Sequence, residues 1–271
     1  MTEQWIILGA AMLATGCVAG FMAGLFGIGG GIVIVPVLEW TLGLIGVDPA
    51  IRMHVAVATS LAIIIPTSIS SARAHHQRQA VDMELVKRWA IFVLAGALVG
   101  AWIAAQVHSR VLAIIFATLA LLIAVKMLLL PESRNLTDDV PRGPAVLLIP
   151  ATIGGLSSMM GIGGGTFSVM ILTLFNQPIH RAVGTAALLG LVISLPGTIG
   201  FIASGWNDAR VPPGSLGYVS LIGFALIAPA TVLTAPVGAK IAHSFSQKTL
   251  SMLFGAFLMI AAARLFYGAL V

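Results

Sequence analysis

Gly27-Ile28-Gly29-Gly30-Gly31 returns 134 residues later as Gly161-Ile162-Gly163-Gly164-Gly165, each copy inside an apolar stretch of more than 30 residues. Three consecutive glycines occupy every face of a helix and favour unwinding, whereas glycines that pack membrane helices recur four apart on one face. Unwound backbone exposed to lipid would leave N–H and C=O groups unpaired at several kcal/mol each. The two runs are therefore expected to line a protein-enclosed or watered cavity. A helix is expected to start after each, at Ile32 and at Thr166. The first N–H groups of a helix lack an internal partner, and its dipole places about half a positive charge there. Two such ends meeting near the bilayer midplane make an anion site.

Working outward, a second echo follows each run: Val57-Ala58-Thr59-Ser60 with later Pro66, and Val183-Gly184-Thr185-Ala186 with later Pro196. Its offset is 126 residues, so the intervening loop is shorter in the second half. The chain reads as one unit written twice: residues 1–130 form a first repeat, 131–142 a connecting loop and 143–271 a second repeat. The expected substrate contacts are Gly29, Gly30, Gly31, Gly163, Gly164 and Gly165. The hydroxyls of Thr59, Ser60 and Thr185, at matching places, and of Thr166, beside the second glycine run, are expected to contact the substrate as well. The plainer alternatives are close helix packing for the glycines and bonding back to the residue i−4 carbonyl for each hydroxyl. Pro66 and Pro196 would each free a carbonyl and kink a helix.

Of 271 residues, 59% are hydrophobic and 8% charged, and the mean hydropathy is +1.06. A soluble domain carries about 25% charged residues. The apolar residues fall in ten blocks of roughly the length needed to cross about 30 Å of hydrocarbon. They run approximately over Trp5–Phe26, Gly30–Gly46, Met53–Ala72, Arg88–Val107, Val111–Leu130, Pro144–Met160, Gly164–Phe175, Ala182–Ser204, Ser215–Ala239 and Thr249–Leu270. The start, Met1 to Trp5, carries Glu3 and no Lys or Arg, so the first segment reads as retained rather than as a cleaved signal.

A net charge of +5 does not indicate nucleic acid here, because the charges sit in short loops beside apolar spans. There an excess of Lys and Arg orients a membrane protein. Arg73, Arg78, Lys87 and Arg88 make the most basic loop, and Lys240 with Lys248 mark another; both are expected on the cytoplasmic side. If each glycine run is the tip of a hairpin returning to its starting side, each half crosses an odd number of times and the second is inverted. Gly205–Pro213, carrying only Arg210, then lies outside. The expected fold is an all-α membrane protein, a polytopic helical bundle of two inverted repeats, each with a glycine-broken helical hairpin plus three spans. A dimer is compatible with a bundle this small.

Glu39 is the one carboxylate well inside an apolar segment, where burial costs roughly 2.5–3.5 kcal/mol. It is a proton-relay candidate, or simply a residue paired with a cation or wet beside Trp40. Lys126 and Arg264 are expected to snorkel, and Trp5, Trp89 and Tyr267 to join an aromatic belt. The lone Cys17 forms no internal disulfide and reads as a small packing residue. His75 and His76 lack a carboxylate or Cys at ligand spacing, so no metal is expected. No hydrolase or phosphate-loop signature occurs. An intramembrane hydrolase would need Ser157 or Ser158 as nucleophile with His180 as base.

At Gly24-Leu25-Phe26-Gly27-Ile28-Gly29-Gly30-Gly31, followed by Val57-Ala58-Thr59-Ser60 and repeated in the second half, the chain resembles the sulfite exporter TauE/SafE family of membrane permeases. Pro212-Pro213-Gly214-Ser215-Leu216-Gly217-Tyr218 through Ala235-Pro236-Val237-Gly238-Ala239-Lys240 also looks like that family's penultimate region. The resemblance implies transport of small sulfur-containing anions, sulfite or organosulfonates, across a bacterial-type cytoplasmic membrane, with no cofactor and no ATPase domain. The second copy departs at Ala186, where the first has Ser60, so the halves need not bind ligand equally. The family includes both import and export.

Overall fold

The computed structural model describes residues 2–26, 30–129, 147–241 and 247–270. Gly29 and the expected connecting loop 131–142 lie outside these. The described helices are α1 (Thr2–Phe26), α2 (Gly31–Leu44), α3 (Pro49–His76), α4 (Met83–Gln106), α5 (Ser109–Leu129), α6 (Leu148–Met160), α7 (Gly165–Leu174), α8 (Ile179–Gly205), α9 (Leu221–Ile241) and α10 (Gln247–Leu270). Five of them, α3, α4, α5, α8 and α9, are long and apolar enough to cross a membrane. The chain is a multi-pass α-helical membrane protein.

Local signals set the helix starts. Asp48 caps α3 by accepting from the Ala50 N–H at 2.8 Å, ahead of Pro49 at the first helical position. Asp82 caps α4 by accepting from Leu85 N–H at 3.0 Å. These bonds satisfy donors that a helix leaves orphaned. Pro66 and Pro196 lie inside α3 and α8, which continue through them.

The ninth apolar segment is not helical from its start. Ser215–Leu216 (β1) pairs antiparallel with Val219–Ser220 (β2), and helix resumes only at Leu221. Gly214 and Gly217, with φ of +78° and +54°, supply the left-handed backbone that this short hairpin needs.

Small residues bring α1 against α9 and α6 against α4. On α1, Gly16, Gly20 and Gly24 face Ala230, Thr234 and Ala235–Ala239 of α9 in turn, so the two helices run parallel. On α6, Ala151 and Gly155 meet Gly96 and Gly100 of α4, again parallel. A methyl at Gly20 would stand 2.4 Å from the Thr231 carbonyl oxygen, and one at Gly96 would stand 1.9 Å from that of Ala151. These are the four-spaced packing glycines of membrane helices. At the centre α3 and α8 run antiparallel: Leu61 adjoins Gly197, Ser68 adjoins Gly190 and His75 adjoins Gly184.

Polar loops collect at two ends. At one, Arg78 donates to Ala239 O at 2.9 Å and Arg181 pairs with Asp82 at 2.9 Å. The basic loop after α3 and the Lys240 end of α9 therefore share a face, as the charge pattern requires. At the other end, Ser109 Oγ accepts from Met53 N–H at 2.9 Å, and Tyr218 stacks on His54 with ring centroids 5.3 Å apart.

One side-chain expectation needs correction. Trp89 is fully buried rather than interfacial, because with Val93 and Ala97 it lies on the face α4 turns toward α6 and α8. Arg264 lies 5.1 Å above the Trp40 ring, so a cation–π contact holds its head. Tyr267 is exposed.

Candidate functional site

The two glycine turns meet. A Cβ placed on Gly31 would lie 2.1 Å from Gly161 O, 2.8 Å from Ile162 Cα and 2.9 Å from Ile64 Cδ1. Ile64 stands near the middle of α3, so the meeting point is at about mid-depth of that helix. Ser60, from the first half, donates its hydroxyl to Gly161 O of the second turn at 2.7 Å.

The caps of the helices that follow the two glycine runs match in backbone detail. Gly30, which caps α2, has φ 76° and ψ −9°; Gly164, which caps α7, has φ 73° and ψ −7°. Both are left-handed, a conformation that costs other residues roughly 1–2 kcal/mol. Gly161 and Gly163 are left-handed too, with φ of 68° and 60°. The helices start at Gly31 and Gly165, one residue earlier than expected. Neither cap carries a side-chain bond. The second turn is closed by Gly161 N–H to Ser158 O, Ile162 N–H to Ser157 O and Ser168 N–H to Gly164 O. The N–H groups of Gly165, Thr166 and Phe167 precede any residue with an intrahelical acceptor.

Gly30, Gly31, Ser60, Gly163, Gly164, Gly165 and Thr166 thus gather around one point or its immediate flank, all buried. Thr166 Oγ1 has no hydrogen-bond partner. Thr59 and Thr185 are engaged elsewhere. Thr59 Oγ1 accepts from Ser220 N–H at 2.9 Å, and Thr185 Oγ1 accepts from Asp82 N–H at 2.9 Å. Each threonine holds the segment leading into a long helix of the opposite half, α9 or α4.

Glu39 lies eight residues along α2 from the turn, about 12 Å at 1.5 Å per residue. It pairs with Arg52 at 3.6 Å, both side chains partly exposed, and Arg52 also donates to Val47 O. The hydrolase arrangement is not assembled. Ser158 adjoins Gly197, whereas His180 lies seventeen residues earlier on α8, roughly 25 Å away along the axis. Among the described residues no cluster of His, Cys, Asp or Glu could hold a metal.

Two features carry sequence signals that the glycine-run reading passes over. One is the four-spaced Gly16, Gly20 and Gly24. The other is the set of buried hydroxyl oxygens with no partner among the described residues: Ser68, Ser71, Ser157, Ser158, Ser168, Thr198 and Ser215 beside Thr166. Each is an ordinary polar residue in an apolar run, and burial rather than type sets it apart.

The fold is thus a polytopic helical bundle in which Gly31 and Gly161 approach at mid-depth. The family model described as Sulfite exporter TauE/SafE matches residues 12–265, and the chain belongs to that family. It is 34% identical over 254 residues to a probable membrane transporter protein of Haemophilus influenzae, covering 94% of this chain and 96% of the relative. It is 26% identical to the probable membrane transporter protein YunE of Bacillus subtilis, covering 94% and 96% of the two chains. A probable membrane transporter protein of Methanocaldococcus jannaschii is 24% identical, with 94% of each chain covered. No solved structure matches the chain.

Proposed function

We propose that the chain exports small sulfur-containing anions, sulfite or organosulfonates, across the cytoplasmic membrane. The ligand would pass a site formed where the glycine turns of two inverted repeats meet. The observation that carries this reading is the approach of Gly31 to Gly161 O with the N-terminal ends of α2 and α7 beside it. These ends present uncapped N–H groups and the positive ends of two dipoles. Inversion is supported by the antiparallel course of α3 and α8 and by the exchange of partners, α1 with α9 and α6 with α4. The substrate class rests on the family description. Gly29, Gly30, Gly31, Gly163, Gly164, Gly165 and Thr166 are its proposed contacts, with Thr59, Ser60 and Thr185 supporting the framework around them.

Electrostatics favours export. A potential of roughly 100 mV, negative inside, is worth about 2.3 kcal/mol per charge, so a divalent anion leaving the cytoplasm gains about twice that. Uptake would need a coupled cation, and Glu39 with its Arg52 partner is the relay such a scheme would use. The test is sulfite flux in proteoliposomes under an imposed potential, with Glu39→Gln alongside the intact protein. Export predicts potential-driven flux that survives the substitution. Flux that ignores the potential, needs an inward proton gradient and stops in Glu39→Gln would establish a proton-coupled importer instead.

A further inference from the structure

The two glycine runs share the left-handed cap geometry of Gly30 and Gly164 but not the side chains around it. At the 134-residue offset, Ser157, Ser158, Thr166 and Ser168 of the second turn correspond to Ala23, Gly24, Ile32 and Ile34 of the first. All four hydroxyls are buried, with Ser157, Ser158 and Ser168 fully so, and none has a hydrogen-bond partner. A buried hydroxyl left unpaired is costly, and such groups in native proteins mark a ligand, a water or a functional role. Four in one turn, and none at the matching positions of its twin, is an asymmetry that packing does not require.

Their surroundings converge on one face of α8. Ser157 Oγ lies 3.4 Å from the Cβ position of Gly164, the residue that caps α7. Ser68 Oγ and Gly163 O both lie 2.9 Å from the Cβ position of Gly190. Ser158 Oγ lies 2.9 Å from that of Gly197. Gly190, Ile193 and Gly197 share a helical face, and Ile193 Cδ1 stands 2.1 Å from the Cβ position of Gly164, so its side chain covers the turn. Ser68 is free where its repeat-mate Ser194 donates to Leu191 O at 3.4 Å.

We propose that the side-chain donors of the anion site are one-sided: Ser68, Ser157, Ser158 and Thr166, with the first N–H groups of α7, bind the ligand's oxygens, and the first turn contributes backbone contacts alone. This rests on the anion-transport reading above and refines it. Neutral hydroxyls arrayed around a helix end suit an oxyanion with several acceptor oxygens better than a spherical halide of equal charge, because each oxygen can take its own donor. Ile193 is then the apolar cover that must swing from Gly164 for the oxyanion to enter.

The experiment measures saturable sulfite flux, with chloride as the comparison anion, in proteoliposomes of wild type, Ser157→Ala, Ser158→Ala, Thr166→Val and Ser194→Ala. Each of the first three substitutions is expected to raise the half-saturating sulfite concentration roughly tenfold or more, and to lower sulfite selectivity over chloride. Ser194→Ala should stay within about twofold of wild type. Where an alanine variant fails to fold, the near-isosteric Ser157→Cys or Ser158→Cys is read in the same way. Folded variants that keep the wild-type half-saturation and selectivity would overturn the one-sided site while leaving anion transport standing. Wild-type protein with no saturable anion flux would overturn the transport reading itself.

Discussion

Replacing Gly31 with alanine separates close approach from conformational freedom as the reason for that glycine. Position 31 is the first residue of α2, where alanine's helix propensity favours the change by roughly 0.5–1 kcal/mol. Against this, the new methyl would stand 2.1 Å from Gly161 O and 2.8 Å from Ile162 Cα, where real Cβ atoms essentially never come within 3.0 Å. Both obstacles are backbone, so the turns must part by about 1 Å, and overpacking of this kind costs about 1–3 kcal/mol. The balance is a net loss of up to about 2.5 kcal/mol, centred on about 1 kcal/mol. The displacement also pulls Gly161 O from Ser60 and moves the ends of α2 and α7 apart, and a shift of 1 Å in a positioned site can cost roughly 100-fold in rate. Gly46→Ala is the control. Gly46 has φ +78° with nothing within 4 Å of its Cβ position, so it should lose a similar about 1–2 kcal/mol through backbone strain alone. Thermal unfolding in detergent and sulfite flux in proteoliposomes read the two effects. Comparable destabilisation is expected in both variants, with flux lost only in Gly31→Ala. A Gly31→Ala protein with wild-type flux, or a Gly46→Ala protein equally impaired, would refute the reasoning.

Thr59→Val and Thr185→Val each leave a backbone N–H, of Ser220 or Asp82, without its acceptor; each should lower stability by about 1–3 kcal/mol, by similar amounts, and thermal unfolding decides it. Single cysteines in a Cys17→Ala background should be labelled by an impermeant reagent from the cytoplasmic side at Gln79 and only from outside at Asn207; labelling of both from one side would exclude the inverted arrangement. The Tyr218 phenol is pushed up to about 12 by its burial and then by donating to Asp208 at 2.9 Å. A folded pKa above the ordinary one means that this contribution to stability is complete below pH 10 and fades as pH rises through 12. Alkaline absorbance titration should show a component near pH 12 that vanishes in Tyr218→Phe. The Asp208 carboxyl is held well below the usual range, first by its bond with Arg210. Its contribution therefore holds above the ordinary carboxylate range and is lost only as pH falls through the lowered value.

The helices were legible because lipid leaves little choice: apolar blocks of spanning length, ended by charge or proline, become helices within a few residues of the expected limits. The glycine runs were legible for a related reason, since so much flexible backbone is tolerated at depth only where protein encloses it. Partner identity was not legible. Thr59 and Thr185 stand in an echoed motif, yet their hydroxyls serve Ser220 and Asp82, more than 100 residues away in sequence. Trp89 has the composition of a belt residue and the burial of a core residue, and only the packing of α4 distinguishes these. The hairpin at Ser215–Ser220 was masked by its apolar neighbours, although Gly214 and Gly217 are the turn signal that reveals it.

The exchange of partners between halves also sets an order of assembly. The glycine face of α1 finds its surface on α9, about 200 residues further along the chain, and at roughly 5–20 residues per second that surface is made on the order of 10–40 s later. Until then Gly16, Gly20 and Gly24 lie open in the bilayer, free to pair with any other small-residue face. The central half of the chain meets no such delay, because α4 precedes α6 and can receive it on arrival. The nascent protein therefore depends on its last helices to close its first, and a truncation that spares everything through α5 should still leave α1 without its partner.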